Sequence, residues 1–418
     1  MYLLCDINAM YASCEQLFRP DLKGKPVVVL SNNDGACVAL NAQAKAVGIK
    51  RGVPYFQVKS LIKQHNVAVF SSNYALYGDM SQRVSAVLES LATDAFAYSI
   101  DESFLMVDGI DAIESYEQYG RRVRDTVYQH TGLTCGIGVG QTHTLAKLAN
   151  HAAKTWPATR GVVVLTERHR QRKLMSLLPV SEVWGIGRKL STRLEAMGIK
   201  TALDLADTHL PFVRKTFGVT VERTVRELNG ISCISVESLP AKEQIISSRS
   251  FGERITDKQQ MHEAVCQYAE RAAQKLRSER RYCRHITVFL RTSPYSGEPY
   301  YSNAASRMLM TATQDTRDII TAVVRGLDDI WREGYRYQKA GIMLNDFTDR
   351  AGQIDLFDET PPQANSEALM QTLDRLNQYG SLVWFAGQGI RQDWKMKREW
   401  LSPAYTTNWN ALPVATVK

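Results

Sequence analysis

The apolar residues of this chain fall into short, strand-sized runs separated by stretches with helical spacing. Tyr2–Ile7 and Pro26–Leu30 read as buried strands. Between residues 73 and 92 one stripe recurs at helical intervals: Leu76, Met80, Val84, Val87, Leu88 and Leu91. Phe96–Ile100 and Phe104–Val107 are β-rich runs separated only by Asp101-Glu102-Ser103, which predicts a tight hairpin. Leu133–Val139 and Gly161–Leu165 add further strands, with helices expected at about 112–131 and 142–154. Such alternation predicts an α/β layer with a mixed sheet. From about 167 to 235 the pattern is short helices throughout. The stretch 238–243, Ser-Leu-Pro-Ala-Lys-Glu, reads as a linker. Beyond it the order is strand (245–255), helix (258–280), strand (284–291), strand (299–309), helix (314–332) and strand (337–347), which predicts one split-βαβ domain. The tail after Asp349 mixes Pro361-Pro362, a helical stretch and a Trp-rich end, and is expected to be only partly ordered.

A length of 418 residues predicts two to four domains, and 44% apolar with 22% charged residues is a globular composition. No apolar run approaches the roughly 20 residues of a membrane span. The start, Met1 to Asp6, lacks a basic segment and meets a charge too early for a signal peptide, so a cytoplasmic protein without membrane association is expected. Seven scattered cysteines without a Cys-x-x-Cys pair argue against a disulfide framework or zinc module, and the eight histidines form no ligand-like cluster. Any metal should therefore be oxygen-bound. The net charge of +8 is unevenly spread: segments 167–240 and 241–347 each carry +4, against +1 for 1–166 and −1 for 348–418. A basic midsection suits a solvated surface, and it also suits a polyanion such as DNA.

Three carboxylates stand where strands end. Asp6 closes the first apolar run, and Asp101-Glu102 follow Phe96–Ile100. Neighbouring strands would bring them to one sheet edge, an oxygen-only set suited to Mg²⁺. Spacing alone leaves the alternative that Asp101-Glu102 merely make the hairpin turn.

The surrounding residues carry more. Asp6–Glu15 together with Tyr98–Phe104 resemble the two metal-binding motifs of Y-family translesion DNA polymerases. Pro26–Gly35, Val183–Gly187, Ser248–Ile255 and Ser402–Thr407 resemble the UmuC branch of that family, the catalytic subunits of bacterial DNA polymerase V, across essentially the whole chain. The resemblance implies a right-hand polymerase: palm at 1–11 and 71–166, small fingers at 12–70, helical thumb at 167–237, linker at 238–244, little finger at 245–347 and a C-terminal tail at 348–418. It implies two Mg²⁺ ions held by Asp6, Asp101, Glu102 and the Ile7 carbonyl, for phosphoryl transfer to a primer end. Tyr11 falls at the steric-gate position, where an aromatic ring occupies the space of a ribose 2′-hydroxyl.

The segment 41–49 resembles the fingers motif that meets the triphosphate, with two departures: Ala42 replaces a usual tyrosine and Lys45 a usual arginine, leaving Lys45 as a point charge in place of a bidentate fork. Lys154 and Lys147, seven apart on a helix opened by Thr142, share one face, which by itself suits solvated surface lysines. The resemblance to the family's helix implies that Lys154, and with it Lys147, contacts the triphosphate. Gly185 and Gly187, followed by Arg188-Lys189, have the spacing of a helix-hairpin-helix that holds a DNA phosphate. Arg280 and Arg281 stand in a basic cluster with Arg277 and Arg284 before a strand. Gln353-Ile354-Asp355-Leu356-Phe357 resembles the pentapeptide that docks into the bacterial sliding clamp, with Gln353, Leu356 and Phe357 as anchors.

No Asp-x-Glu occurs, so proofreading of the common kind is not expected. The resemblance implies error-prone synthesis opposite damaged template in the SOS response, at the nucleoid. Primed template DNA, deoxynucleoside triphosphates, the clamp, a processed UmuD-type dimer and RecA are the implied partners. Two rivals remain: a nucleotide cyclase, which has no use for a helix-hairpin-helix or a clamp peptide, and a catalytically inactive clamp-tethered scaffold, which has no use for three carboxylates.

Overall fold

The first strand, β1 (Tyr2–Ile7), alternates its side chains between two apolar layers. Leu3, Cys5 and Ile7 enter the large core on one face, while Tyr2 and Leu4 pack on the other with Phe104 and Ala146. A strand covered on both faces lies inside a sheet, and β1 is the middle strand of five. The helix α1 (Met10–Leu17) follows after Ala9, whose left-handed backbone (φ 46°, ψ 46°) turns the chain off the sheet edge.

A computed structural model of the chain describes residues 1–235, 242–349, 365–379, 383–390, 396–412 and 414. After α1 the chain builds a small sheet from β2 (Val27–Leu30), β3 (Cys37–Leu40) and β4 (Ala68–Ser71), in the order β3-β2-β4. The short α2 (Ala42–Ala46) and α3 (Tyr55–Gln64) join its strands, and the β2–β4 pair is parallel. Its own core is made by Val28, Leu30, Cys37, Leu40, Ile49 and Ile62.

The main sheet then resumes with α4 (Tyr74–Glu89), β5 (Asp94–Ala97), β6 (Glu102–Met106), α5 (Tyr116–Thr131), β7 (Cys135–Gly140), α6 (His143–Thr155) and β8 (Val162–Leu165). The strand order is β5-β6-β1-β7-β8, mixed because β7–β8 is parallel and the other pairs are antiparallel. The hairpin loop sits earlier than the apolar runs suggest. Ile100 is outside β5, and Glu102 opens β6 directly opposite Asp6. Backbone pairing to β1 outweighs the local apolar signal there.

One face of β7 carries only glycines. On β7 the positions Cys135, Ile137 and Val139 enter the large core, and the alternate positions are Gly136, Gly138 and Gly140. A Cβ on Gly138 would lie 2.2 Å from the Asn150 nitrogen, and one on Gly140 would lie 2.7 Å from the Ala146 nitrogen. The glycines therefore let α6 rest backbone to backbone on β7, closer than any side chain would permit.

Five short helices follow: α7 (Arg168–Leu177), α8 (Arg188–Ala196), α9 (Ala202–Ala206), α10 (Leu210–Phe217) and α11 (Val219–Leu228). Buried Glu227 on α11 seats them against the start of α6. Its carboxylate accepts from the Thr144, Cys233 and Ile234 N–H groups, and its carbonyl accepts from the Thr142 hydroxyl.

The chain divides into two compact units. One comprises Met1–Ser31, Gly35–Leu239 and Glu399–Lys418; the other comprises Asn32–Asp34 and Pro240–Arg398. The second unit holds β9 (Gln244–Ile255), α12 (Lys258–Ser278), β10 (Tyr282–Thr292), β11 (Ser302–Thr313), α13 (Thr316–Ile330) and β12 (Tyr337–Thr348). Its sheet, β11-β10-β12-β9, is antiparallel throughout, and both helices pack on it through Ala264, Tyr268, Ala272, Ile319 and Val323. Helix α14 (Ser366–Leu376) is tied to this unit by Asp374, which takes both Nε and Nη2 of Arg277, at 2.7 and 2.8 Å.

The segment from Glu399 returns to the first unit. Trp400 packs against the small-sheet core, 5.1 Å from the Tyr55 ring, and Tyr405 stacks on Phe18 at 4.5 Å. All seven cysteines are free thiols. Among the described residues no helix is long and apolar enough to cross a membrane.

Candidate active site

The side-chain alternation of β1 decides where its carboxylate goes. Tyr2, Leu4 and Asp6 share one face, so Asp6 points to the same side as the residues under α6. On β6, Glu102 shares that face with Phe104, and Asp6 and Glu102 are register partners across the β1–β6 pair. Asp101 stands one residue before β6, where its carbonyl accepts from the Ile7 N–H at 2.8 Å and its carboxylate accepts from the Ser99 hydroxyl at 2.6 Å. Thus Asp6, Asp101 and Glu102 come to one edge of the sheet.

Helix α6 supplies the opposite charge. Lys147 and Lys154, two turns apart, each reach one carboxylate: Lys147 Nζ lies 2.8 Å from Glu102 Oε1, and Lys154 Nζ pairs with Asp6. These pairs are possible only because the glycine row draws α6 onto β7. A Cβ on Gly136 would stand 2.8 Å from Lys154 Cγ, in the path of that side chain. Asn150, between the two lysines, donates to the Gly136 carbonyl at 2.7 Å and the Leu4 carbonyl at 3.4 Å, pinning α6 to two strands at once. Lys147 is also boxed by aromatic faces, 4.6 Å from the Tyr98 centroid, 5.2 Å from Trp184 and 5.8 Å from Phe104.

The cluster is electrostatically loaded. Burial pushes the Asp6 carboxyl above its usual range, and the charges of Glu102 and Asp101 push the same way; only Lys154 opposes them. Three oxygen donors of like charge fit a hard divalent cation, and the neighbouring thiol of Cys5 turns to the opposite face of β1, into the core. As they stand, no group of three His, Cys, Asp or Glu residues among the described ones closes around a single point. The compensating charge at Asp6 and Glu102 comes instead from the two ammonium groups.

Tyr11, on the first turn of α1, is half-buried beside this edge. Its ring stacks on Tyr77 at 4.4 Å and 14°, and meets Tyr74 edge-on at 5.9 Å. Asp101 is close enough to raise its phenol, though burial is the larger cause. Lys45 stands exposed on α2, capped by Asn41, and among the described residues it pairs with no carboxylate.

The hairpin before α8 divides the work of its two glycines. Gly185 has φ +88°, a backbone that other residues rarely adopt, while Gly187 has φ −80° and open space where a Cβ would be. Helix α8 begins at Arg188 with no side-chain cap, so no cap side chain accepts from its first N–H groups, and Arg188 and Lys189 beside them are exposed. In the second unit Arg280 is exposed with φ 54°, whereas Arg281 is paired with Asp349 at 2.9 Å. Gln353, Leu356 and Phe357 lie outside the described residues.

Sequence patterns alone did not point to Asn150, Ser99, the aromatic box around Lys147 or the support behind Tyr11. The alternate glycines of residues 135–140 were the available signal, since a period-two glycine row in a buried strand marks close backbone approach.

Comparison with known proteins agrees with this architecture. The family model described as the impB/mucB/samB family matches residues 5–151, its C-terminal domain matches 242–356, and an HHH motif of the same family matches 168–199. A domain of unknown function matches 367–415. The protein ImpB of Salmonella typhimurium is 57% identical over 421 residues, covering 99% of both chains. UmuC of Salmonella typhimurium (strain LT2) is 53% identical over 418 residues, again covering 99% of both. Among solved structures, a Y-family DNA polymerase chimera superimposes with a TM-score of 0.64 at 20% identity, covering 82% of this chain and 98% of that one. The chain belongs to the impB/mucB/samB family, the UmuC-type branch of the Y-family DNA polymerases.

Proposed function

We propose that this polymerase extends primers opposite damaged template bases, using the carboxylate edge formed by Asp6, Asp101 and Glu102. The observation that carries this reading is the meeting of those three carboxylates with Lys147 and Lys154 at one place on the first unit. Asp6, Asp101, Glu102 and the Ile7 carbonyl would hold two Mg²⁺ ions, which when bound activate the primer hydroxyl and stabilise the charge on the leaving pyrophosphate. Lys154 and Lys147 then exchange their carboxylates for triphosphate oxygens, which keeps the edge close to neutral when nucleotide arrives. Lys45 adds a third positive charge from the fingers side. The Tyr11 ring fills the space of a ribose 2′-hydroxyl and turns ribonucleotides away.

DNA is held without reading its sequence. The N–H groups at the start of α8, after Gly185 and Gly187, take a backbone phosphate, with Arg188 and Lys189 adding charge. Arg280 of the little finger adds a further phosphate contact, and Arg281 does so to the extent that Asp349 releases it. Gln353, Leu356 and Phe357 tether the enzyme to the sliding clamp, and deleting that pentapeptide is expected to remove clamp stimulation while sparing basal synthesis. A processed UmuD-type dimer and RecA complete a cytoplasmic, nucleoid-associated SOS assembly.

The test is magnesium-dependent primer extension across an abasic template site, with clamp, RecA filament and UmuD-type dimer supplied. Wild type should extend and Asp101→Asn should not. Equal extension by both would remove the carboxylates from catalysis. Failure of both, with primed DNA still bound, would favour an inactive scaffold.

A further inference from the structure

The ring of Tyr11 does not stand alone; it is the outer end of a contact chain that begins almost four hundred residues later. Tyr77 lies beneath it, stacked at 4.4 Å, and is completely buried. The Tyr77 hydroxyl donates to Glu15 Oε1 at 2.6 Å, and Glu15 is itself completely buried on the next turn of α1. That same Glu15 oxygen receives a second hydrogen bond, at 3.0 Å, from the Ser402 hydroxyl.

Ser402 grips the supporting helix a second time. Tyr74 and Tyr77 ride on the first turn of α4, whose N-cap is Asn73, accepting from the Leu76 N–H through its side-chain oxygen. The Asn73 amide nitrogen donates to the Ser402 hydroxyl at 3.0 Å, to the Ser402 carbonyl at 3.2 Å and to the Pro403 carbonyl at 3.2 Å. One serine thus accepts from the helix cap and donates to the carboxylate that holds Tyr77. Its neighbours are fixed in turn. The Trp400 N–H donates to the Ser71 hydroxyl and its carbonyl accepts from the Ser71 N–H, at 3.0 and 2.9 Å, while Tyr405 is stacked on Phe18.

We propose that Ser402 is a positioning residue for sugar selection: through Asn73, Glu15 and Tyr77 it holds the Tyr11 ring at the height where a 2′-hydroxyl is excluded. The proposal rests on Tyr11 being the steric gate and assigns a role to a segment outside the polymerase core. A stacked ring keeps its position only if the ring beneath it is fixed, and Tyr77 has one rotatable hydroxyl, one acceptor and one helix turn to fix it. All three converge on Ser402.

The measurement is single-nucleotide insertion by the full chain, in the same assembly, with kcat/KM taken for matched deoxy- and ribonucleotides. Ser402→Ala and Tyr77→Phe should each lower the deoxy-over-ribo preference about 3- to 10-fold, the range that one positioning hydrogen bond carries. Glu15→Gln keeps an acceptor for both hydroxyls and should retain the preference. In a Tyr11→Ala background, where the preference has already collapsed, Ser402→Ala should change nothing further. Thermal unfolding of each variant reports general loosening separately. An unchanged preference in Ser402→Ala, beside a collapsed one in Tyr11→Ala, overturns the positioning role and leaves the gate standing. Equal losses from Ser402→Ala with and without Tyr11 overturn it as a non-specific effect. An intact preference in Tyr11→Ala removes the gate itself, and the proposal with it.

Discussion

Lys147 Nζ and Glu102 Oε1 stand 2.8 Å apart on a helix and a strand brought within reach because β7 presents only glycines on the face beneath α6. The pair is largely sheltered, with 14% of the lysine and 21% of the glutamate side chain exposed. Removing one partner there strands the other's charge in a poorly solvated place. Lys154→Met and Lys147→Met should therefore leave the carboxylate edge short of positive charge, and Mg²⁺ should raise the melting temperature more in these variants than in wild type. Calorimetry with and without Mg²⁺ checks this, and identical shifts in all three proteins would sink it. Lys154→Met should also lower kcat/KM for deoxynucleotides about 100- to 1000-fold, the range for loss of one preorganised group that stabilises developing charge.

The glycine row predicts a stability effect with a site consequence. Gly138→Ala forces a Cβ to within 2.2 Å of the Asn150 nitrogen, a backbone atom that cannot swing aside. Overpacking of this kind costs about 1–3 kcal/mol, and α6 must lift to relieve it. We expect a lower melting temperature together with a weakened Lys154–Asp6 pair, read as a raised KM for nucleotide. A Gly138→Ala protein that melts and binds nucleotide like wild type would refute the close-contact argument.

The two hairpin glycines should separate fold from DNA grip. Gly185→Ala places a side chain at φ +88° and should destabilise the hairpin by about 1 kcal/mol or more. Gly187→Ala meets no neighbour within 4 Å and keeps φ −80°, so the fold should tolerate it. A methyl at that point still crowds an incoming phosphate. Filter-binding titrations should show weaker binding to primed DNA for Gly187→Ala at nearly unchanged melting temperature, and unaltered affinity would argue against phosphate capture at α8.

Glu15 carries a pH signature. Burial, the largest influence, raises its carboxyl above the ordinary 4.5, with the Tyr77 and Ser402 hydroxyls pulling the other way. A raised folded-state value means that the folded chain holds this proton more tightly than the unfolded chain. The associated stability is fully present below about pH 4.5 and is lost as pH rises through the folded value. Relative to Glu15→Gln, wild type should therefore lose stability across that window, with a slope of at most about 1.4 kcal/mol per pH unit. Denaturant midpoints measured from pH 4 to 8 check the sign, and a wild-type curve parallel to the variant's would contradict it.

Patterns with local causes were legible in the chain. The alternation on β1, the threonine cap of α6 and the seven-residue spacing of Lys147 and Lys154 each follow from neighbours a few positions apart, and these already aim the charged groups at one edge. The hairpin boundary was less legible, because Phe96–Ile100 is apolar enough to read as strand, whereas pairing with β1 starts β6 at Glu102. Three features depend on tertiary contact: the Asn150 bridge between two strands, hinted at only by the glycine row of β7, and the aromatic box around Lys147 and the return of Trp400–Tyr405 to the first unit, which had no local trace. Arg281 illustrates the reverse case. A basic cluster reads as a DNA surface, yet one member is spent on Asp349 and Arg277 is spent on Asp374.

The hydrogen bond from Ser402 to Glu15 joins residues 387 positions apart, so during synthesis it can close only long after the carboxylates have been made. At roughly 5–20 residues per second, the ribosome takes on the order of 20–80 s between making the two partners. During that interval the nascent carboxylate edge exists without the segment that carries Ser402. A product that stopped before residue 402 would keep every carboxylate and lose the support proposed for Tyr11. Under the positioning role proposed for Ser402, sugar selectivity would depend on a segment made long after the carboxylates it serves.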